Sequence, residues 1–202
     1  DPEIVSLWER TRSWSLDAFN EIYSTLGITF DKLYYESEVE DSGKELVQKL
    51  IESGLAVDER PEGAVIIDLD KILGTREEFR VVVILRSDGT SLYATKDIPL
   101  AIRKFEEFNP DKSVYVIDVR QSLYMKQIFK ILELMGYKEW AKRWFHLAYE
   151  IVNLPGNVTI ASREGAVVLL EDLIHEAEKR ALNIVEAKNP ELELSHKNQD
   201  RK

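Results

Sequence analysis

A short apolar run at residues 113–119, Ser-Val-Tyr-Val-Ile-Asp-Val, constrains the fold more than any other part of the sequence. A helical pattern follows it over residues 121–135 and stops at Gly136, and a second strand-like run lies at residues 145–152. The order strand, helix, strand is typical of a parallel sheet, whose buried strands are apolar on both faces. We therefore predict an α/β fold with an open parallel sheet in which residues 113–119 form a central strand.

Four amphipathic helices are predicted around this sheet, in addition to the one at 121–135. In each of them, apolar residues recur at the three- and four-residue spacing of one helix face. Gly27 and Gly54 follow the first two helices and Asn109-Pro110 follows the third, and such residues end helices. The predicted helices are residues 4–26, 42–52, 97–108 and 169–187.

The region between the second and third of these helices has a β-type pattern. Short runs rich in Val and Ile between Leu55 and Arg86 alternate with Pro, Gly and Asp-Gly turns. We predict one α/β domain over residues 1–190, with a small β-rich insertion at about 55–92. The polar residues 191–202 are predicted to form a tail.

The composition argues against several classes of function. The chain has 202 residues, with 27 Lys plus Arg, 37 Asp plus Glu and a formal net charge of −10, which disfavours broad coating of nucleic acid. No apolar run approaches the roughly 18 residues of a membrane-spanning helix, so no membrane association is expected. With no cysteine and three scattered histidines, we expect neither disulfides nor a protein-bound metal. A start without a signal-like pattern predicts a cytoplasmic protein.

A strand-to-helix junction carries the first candidate site residues. Asp88-Gly89 is predicted to form a turn after an apolar strand, and Tyr93 and Asp97 follow four residues apart. A carboxylate suits a guanidinium, because the two can form paired, charge-assisted hydrogen bonds. The alternative is that Asp97 begins the helix as its N-cap. The residues alone leave both interpretations open.

Two further segments carry polar residues at positions suited to ligands. Gln121 lies just past the carboxyl end of the predicted strand, where α/β sheets place ligand contacts, and the alternative is helix capping or plain solvent exposure. The loop 156–165 begins and ends with glycine and contains Ser162 and Arg163, and such loops can contact phosphates. Its glycine spacing matches neither a P-loop nor a dinucleotide fingerprint, so an ordinary surface loop is the alternative.

In their order and wording these segments resemble arginyl-tRNA synthetases, class I aminoacyl-tRNA ligases, especially those of the archaeal type. The family's RSDGTxxYxxxDI segment is similar to Arg86–Ile98, and its Gln-x-x-His-x-x-Gln helix start is similar to Gln121–Gln127. Its His-x-x-Phe-Gly-x-Val strand is similar to His146–Val152, and its KMSKS-type loop to Thr159–Ala177. The resemblance covers about residues 1–190.

The resemblance implies the Rossmann-like open parallel sheet of class I synthetases. It implies ATP-driven activation of arginine with Mg²⁺, followed by transfer of the arginine to its tRNA. The matching positions are Tyr93, Asp97 and Gln121 for arginine; His146, Gly165 and Gln127 for ATP; and Ser162 and Arg163 for catalysis in a degenerate KMSKS-type loop.

Charge is distributed unevenly along the chain. Residues 31–80 carry 14 acidic and 7 basic side chains, a net charge of −7, whereas residues 96–143 carry 10 basic and 7 acidic side chains, a net charge of +3. The ordinary interpretation is a set of solvated faces. The alternative is that the basic portion contacts tRNA and that the acidic portion meets another partner.

The sequence departs from the family pattern on the nucleotide side. Tyr124 stands for the family's His, Glu150 for a Gly, and Thr159 and Glu164 for lysines of the KMSKS-type loop. The family's HIGH signature and its anticodon-binding domain have no counterpart in these 202 residues. Because catalysis at phosphates depends on positioned cations, we expect that this chain alone does not activate arginine. The alternative to a synthetase core is a catalytically silent paralogue that keeps an arginine pocket or binds tRNA or protein.

Overall fold

The structure is a computed structural model and describes residues 1–150, 153–154, 158–159 and 169–189. The α-helices of these residues are α1 (Pro2–Leu26), α2 (Glu40–Glu52), α3 (Leu69–Leu73), α4 (Tyr93–Phe108), α5 (Ser122–Leu134), α6 (Lys138–Ala141) and α7 (Leu170–Lys188). The strands are β1 (Val57–Asp58), β2 (Val65–Asp68), β3 (Val81–Leu85), β4 (Ser113–Asp118), β5 (Trp144–Tyr149), β6 (Asn153–Leu154) and β7 (Val158–Thr159). Single 3-10 turns, Glu36–Glu38 and Val119–Gln121, lie shortly before α2 and α5.

The chain divides into two compact units. The larger is Lys32–Ile151 and contains α2 to α6 and β1 to β5. The smaller combines Asp1–Asp31 with Val152–Lys202 and contains α1, α7 and the antiparallel pair β6–β7. The single domain over residues 1–190 stays a prediction beside this division.

The α/β class is confirmed, with one antiparallel and one parallel sheet in the larger unit. Strands β1, β2 and β3 form an antiparallel sheet in that order, within the predicted β-rich insertion. Strands β4 and β5 pair in parallel, with Ser113 opposite Trp144 and Asp118 opposite Tyr149. Helix α5 lies between these strands in sequence, as a parallel connection requires.

The prediction that residues 113–119 form a central strand buried on both faces is wrong. Within the described residues, β4 pairs with β5 alone, and Val116 is 62% exposed. On the other face of the sheet, the rings of Tyr115 and Trp144 lie 5.5 and 5.7 Å from the ring of Phe129 in α5. Side chains of a strand alternate between its faces, so one face packs on a helix and the other is exposed.

The core of the larger unit holds the antiparallel sheet against helices α4 and α5. Burial of apolar surface is the main favourable contribution to such packing. Its largest fully buried apolar side chains are Val65, Ile67, Leu69, Ile84, Ile98, Phe105, Ile128, Ile131 and Leu132. This core fixes the first two turns of α4 and the start of α5, where the candidate site residues lie.

Helix α4 begins four residues before its predicted start. Buried Thr95 explains the difference, because its hydroxyl accepts a hydrogen bond from the backbone N–H of Leu92 and donates one to the backbone carbonyl of Ile84. The first turn is thereby tied to β3. Asp97 lies in the second turn of α4, so the interpretation of Asp97 as an N-cap is wrong.

The smaller unit consists mainly of two amphipathic helices. Helix α1 ends at Gly27 as predicted, with the glycine in the left-handed conformation at φ 66°. No residue of α1 or α7 is buried, and apolar side chains such as Trp8, Trp14 and Leu173 are at least half exposed. Among the described residues, no helix has the length and apolar character needed to cross a membrane.

Candidate functional site

A hydrogen bond between α4 and α5 forms the centre of the candidate site. The Tyr124 hydroxyl donates to Asp97 Oδ2 over 2.5 Å. Both side chains are partly buried, and 27 residues separate them in sequence. This contact brings the strand-to-helix junction after β3 next to the start of α5.

The turn between β3 and α4 has the geometry that its sequence predicts. Gly89 adopts φ 80°, which favours glycine, and its N–H donates to the carbonyl of Arg86. The Asp88 carboxylate accepts hydrogen bonds from both the backbone N–H and the hydroxyl of Thr90. This turn reverses the chain after β3 and leads it into α4 at Tyr93.

Gln121 lies at the carboxyl end of β4, as predicted. Asp118 ends the strand and caps the following 3-10 turn, where its carboxylate accepts a hydrogen bond from the backbone N–H of Arg120. The same carboxylate binds the Arg120 guanidinium through two hydrogen bonds of 3.0 Å. The Gln121 side chain is exposed and makes no capping hydrogen bond to α5.

Tyr93 and Gln121 flank the hydrogen-bonded pair. Tyr93 precedes Asp97 by four residues, and this spacing places both on one face of α4. Gln121 precedes Tyr124 by three residues at the start of α5. Tyr93 is 74% exposed, so its hydroxyl and ring are open to a ligand. That Tyr93, Asp97 and Gln121 converge on one pocket stays a prediction.

The electrostatics of the pair are governed by burial. Burial raises the pKa of Asp97, with a smaller raising effect from Glu36, while the hydrogen bond from Tyr124 and the charge of Lys104 lower it. Burial also lowers the pKa of Lys104, whose amine lies 4.8 Å above the ring centre of Tyr115. Burial and the neighbouring Asp97 carboxylate raise the pKa of Tyr124, which keeps its hydroxyl protonated as a donor.

Within the described residues, no ion pair reaches the Asp97 carboxylate. A partly buried carboxylate without a bonded cation is costly to keep ionised. A cationic group that entered the site would lower this cost by direct pairing. A guanidinium suits the role, since its planar fork of donors matches carboxylate geometry.

The residues predicted to contact ATP have other contacts in the structure. The Gln127 side chain is buried and donates to the backbone carbonyl of Phe79. His146 Nε2 lies 3.0 Å from the carbonyl oxygen of Ile117 on the neighbouring strand. Neither contact supports a role toward ATP, and that role stays a prediction for both residues.

The predicted site residues of the KMSKS-type loop, Ser162, Arg163 and Gly165, are not among those that the structure describes. Glu150 directly follows β5 and is exposed. No group of three or more His, Asp or Glu side chains able to hold a metal ion is found in the described part of the chain.

Two members of the site were missed at the level of sequence. Tyr124 was seen only as a departure from a family pattern, and Lys104 was not singled out. Lys104 follows Asp97 by seven residues, which is two turns along the same face of α4, so helical spacing alone could have indicated it. The contact between Asp97 and Tyr124 depends on how α4 and α5 pack and has no local signal.

Comparison of the sequence with known proteins gives a consistent result. A family model described as tRNA synthetases class I (R), catalytic domain, matches residues 1–202. An arginine–tRNA ligase of Bdellovibrio bacteriovorus is 41% identical over 172 residues, which are 85% of this chain and 28% of that protein. A probable mitochondrial arginine–tRNA ligase of Mus musculus is 37% identical over 90% of this chain and 30% of its own length. The chain thus spans less than a third of these relatives, and they give no support to an archaeal type.

Solved structures agree at the level of the fold. The arginyl-tRNA synthetase of Thermus thermophilus is similar with a TM-score of 0.55 and 26% identity, over 80% of this chain and 31% of that one. The arginyl-tRNA synthetase of Plasmodium falciparum is similar with a TM-score of 0.70 over 96% of this chain and 31% of that one. At 19% identity, the second similarity bears on the fold alone.

Proposed function

The chain belongs to the catalytic-domain family of class I arginyl-tRNA synthetases, and we propose that it is the part of such a domain that recognises arginine. In an intact synthetase, this part would serve the ATP-dependent activation of arginine and its transfer to tRNA. Arginine recognition is the portion of that function that the geometry of the larger unit supports best.

The Asp97 carboxylate is the observation that carries this proposal. It is partly buried in the second turn of α4, is bonded to a neutral phenol, and has no cation bonded to it within the described residues. The arginine guanidinium would restore the electrostatic balance of the site, since it remains charged at all accessible pH values. A charged hydrogen bond of this kind contributes about 1.5–3 kcal/mol.

Tyr93 and Gln121 would complete the pocket. The exposed ring of Tyr93 can stack against a planar guanidinium, and its hydroxyl can accept or donate a hydrogen bond. The Gln121 amide offers both a donor and an acceptor at the carboxyl end of β4, which would orient the amino acid without adding charge. Arginine would then contact the ends of three elements: α4, β4 and α5.

Calorimetry with arginine and citrulline tests this proposal. Citrulline has the length and shape of arginine but carries a neutral urea group in place of the guanidinium. We expect the 202-residue chain to bind arginine at least about tenfold more tightly than citrulline, as expected from the loss of one charged hydrogen bond. Equal affinity for the two, or affinity for neither, would overturn the assignment.

The catalytic part of the proposal rests on family resemblance more than on contacts seen in the structure. ATP with Mg²⁺ would be the second substrate, and by family resemblance Ser162 and Arg163 of the KMSKS-type segment would act on its phosphates. The basic portion 96–143 would face tRNA. Five of its ten basic residues already pair with carboxylates, so the attraction of this portion for phosphates is modest: Lys96, Arg103, Arg120, Lys130 and Lys142.

A silent paralogue that keeps the arginine pocket is the second candidate function. It is favoured by Tyr124 and Glu150, which stand where the family has His and Gly, and by the commitment of Gln127 to a backbone carbonyl. Exchange of pyrophosphate into ATP, with arginine and Mg²⁺ and with or without tRNA, tests whether this chain is itself a working enzyme. We expect arginine binding without exchange from this chain, and exchange above background would assign the chain to the working enzymes.

A further inference from the structure

Tyr124 holds the Asp97 carboxylate by one of its two oxygens. The phenol hydroxyl donates to Oδ2 over 2.5 Å, and among the described residues Oδ1 receives no hydrogen bond. An ionised carboxylate has about four acceptor positions on its two oxygens. One bond to a rigid aromatic side chain therefore fixes the plane of the carboxylate and leaves Oδ1 available.

The Tyr124 ring is itself well anchored. Tyr124 lies in the first turn of α5 and packs partly buried against the main core. Its neighbours in that helix, Met125 and Ile128, are buried. The hydroxyl is therefore delivered by an element whose position the core determines, and not by a mobile surface side chain.

Charged and titratable groups face Asp97 from each element around it. Lys104 lies on α4, Tyr115 on β4, Tyr124 on α5, and Glu36 in the 3-10 turn before α2. Lys104 acts on the carboxylate through its charge, without an ion pair, since its amine lies over the Tyr115 ring. Tyr124 is the hydrogen-bond donor of this set.

We propose that Tyr124 is a positioning residue for the substrate site: it fixes the Asp97 carboxylate through Oδ2 and aims Oδ1 at the cationic group of the ligand. That this group is the guanidinium of arginine rests on the function proposed above. Tyr124 acts through Asp97 and need not touch the ligand itself. Its effect is therefore on the affinity and pH dependence of binding.

Two consequences follow when the hydroxyl is removed. The carboxylate loses its fixed plane and must be ordered by the ligand, which weakens binding. It also loses a hydrogen bond that favours its charged form, so its pKa rises further and a proton competes with the cation at a higher pH. Tyr124→Phe removes only the hydroxyl and keeps the aromatic ring, so the packing of residue 124 stays intact while both effects are measured.

The experiment compares Tyr124→Phe with a matched control, Tyr115→Phe, in the 202-residue chain. Tyr115 is also a partly buried tyrosine near Asp97, but it is not hydrogen-bonded to that carboxylate. Nuclear magnetic resonance of the Asp97 side-chain carboxyl carbon, assigned with Asp97→Asn, gives the pKa of the carboxyl in each variant. Calorimetry at pH 7.5 and pH 5 gives the arginine affinity.

We expect Tyr124→Phe to raise the pKa of Asp97 and to weaken arginine binding by about tenfold at pH 7.5, the lower range for a hydrogen bond to a charged group. The loss should be larger at pH 5. Tyr115→Phe should leave the pKa of Asp97 unchanged and the arginine affinity within about twofold of wild type. Tyr115 makes no hydrogen bond to the Asp97 carboxylate, so its hydroxyl contributes little to either. In the wild-type chain, the ring carbon bearing the Tyr124 hydroxyl should shift as arginine is added, a readout that requires no substitution.

Each other result has a defined meaning. The positioning role would be overturned if the Tyr124 resonance did not shift as arginine was added and Tyr124→Phe bound arginine as tightly as wild type. An unchanged pKa of Asp97 in Tyr124→Phe would overturn it too. Absence of arginine binding in the wild-type chain, together with a raised pKa in Tyr124→Phe, would overturn the arginine function and leave the positioning of the carboxylate supported.

Discussion

The charge of Asp97 is expected to favour ligand binding and to lower the stability of the fold. Burial raises the pKa of its carboxyl group, so the folded chain holds the ionised form at a cost that the unfolded chain does not bear. This destabilising contribution is absent at low pH, where Asp97 is protonated in both the folded and the unfolded chain. It develops as the pH rises from the ordinary aspartate range, near 3.8, through the raised pKa of the folded chain.

Asp97→Asn should therefore stabilise the chain and weaken arginine binding at the same time. The amide removes the buried charge and can still accept the hydrogen bond from Tyr124. We expect arginine binding to weaken by about 1.5–3 kcal/mol, the size of a charged hydrogen bond. We expect the Tm to rise by about 2 °C at pH 7, the size of a change below 1 kcal/mol in a chain of this length, and to match wild type at pH 3.

Thermal melts and calorimetry check both effects, with Asp111→Asn as the control. Asp111 is an exposed acid in the loop after α4, so its substitution changes the net charge by the same amount without touching the site. A lower Tm for Asp97→Asn at pH 7 would show that the charge of Asp97 contributes to the fold. Unchanged arginine affinity would remove Asp97 from the pocket.

Glu107 is the opposite of Asp97, because its charged form stabilises the fold. Its carboxylate accepts hydrogen bonds from Lys32 over 2.5 Å, Tyr34 over 2.6 Å and Arg103 over 2.7 Å. These bonds hold the pKa of Glu107 at about 2, below the ordinary value of 4.5. The contribution to stability is present above pH 4.5 and is lost as the pH falls toward 2.

Acid should therefore release the segment around Lys32 and Tyr34 from α4. In wild type, the stability advantage over Glu107→Gln should be present at pH 6 and disappear as the pH falls from 4.5 to 2. Denaturant titrations at several pH values measure this difference, and Glu106→Gln on the same exposed turn serves as the control. A difference that does not change with pH would show that the glutamate acts without its charge.

At the residue scale, the sequence indicated the chemistry of Asp97 but not its surroundings. A carboxylate four residues after a tyrosine was visible in the sequence, and so was a Gln after a strand. Tyr124 was not, because its hydrogen bond joins residues 27 positions apart on two helices. Such contacts depend on tertiary packing, which local patterns do not encode.

At the element scale, the packing of α2 on α4 depends on Gly43. This residue is buried in α2, and a Cβ there would lie 2.2 Å from the backbone carbonyl oxygen of Thr95. Pro99 occupies the position four residues after Thr95 and has no N–H to donate to that carbonyl. The two helices therefore approach each other closely at a point where one has no side chain and the other has a carbonyl that residue 99 cannot bond.

Gly43→Ala should destabilise the chain although alanine is the better helix former. The intrinsic preference of about 1 kcal/mol for alanine is outweighed by overpacking against backbone, which costs about 1–3 kcal/mol or more. We expect a Tm several degrees lower in thermal melts followed by circular dichroism. Glu45→Ala, on the exposed side of α2, should change the Tm little, and a Gly43→Ala variant as stable as wild type would contradict the close approach.

The types of the helices and strands and most of their ends were predictable from the sequence. The tertiary contacts around them were not. Gly27 and Asn109 end α1 and α4 in left-handed conformations, as their sequence signals indicated. The start of α4 was misplaced, because Thr95 caps it through a contact with β3 that only the folded chain contains. The apolar run of β4 predicted burial on both faces, but apolar composition does not report which faces are covered in the part of the chain described.

At the scale of the whole molecule, the residues of the proposed arginine site belong to a single unit. Strands β3 and β4 and helices α4 and α5 all lie within Lys32–Ile151. The KMSKS-type segment, Thr159–Ala177, falls in the sequence range of the other unit. The proposed recognition of arginine therefore draws on residues of the larger unit alone, and it can be tested without assuming the proposed action on ATP.

The most direct test of the account is to map the arginine site by amide chemical shifts. Arginine should perturb the amides of residues 93–97 and 121–124 together in the 202-residue chain, because the account places Tyr93, Asp97 and Gln121 within one amino-acid-sized pocket, about 12 Å across at most. Citrulline at the same concentration should perturb them weakly. Perturbation of only one of the two segments, or equal effects of arginine and citrulline, would contradict the proposed arginine pocket.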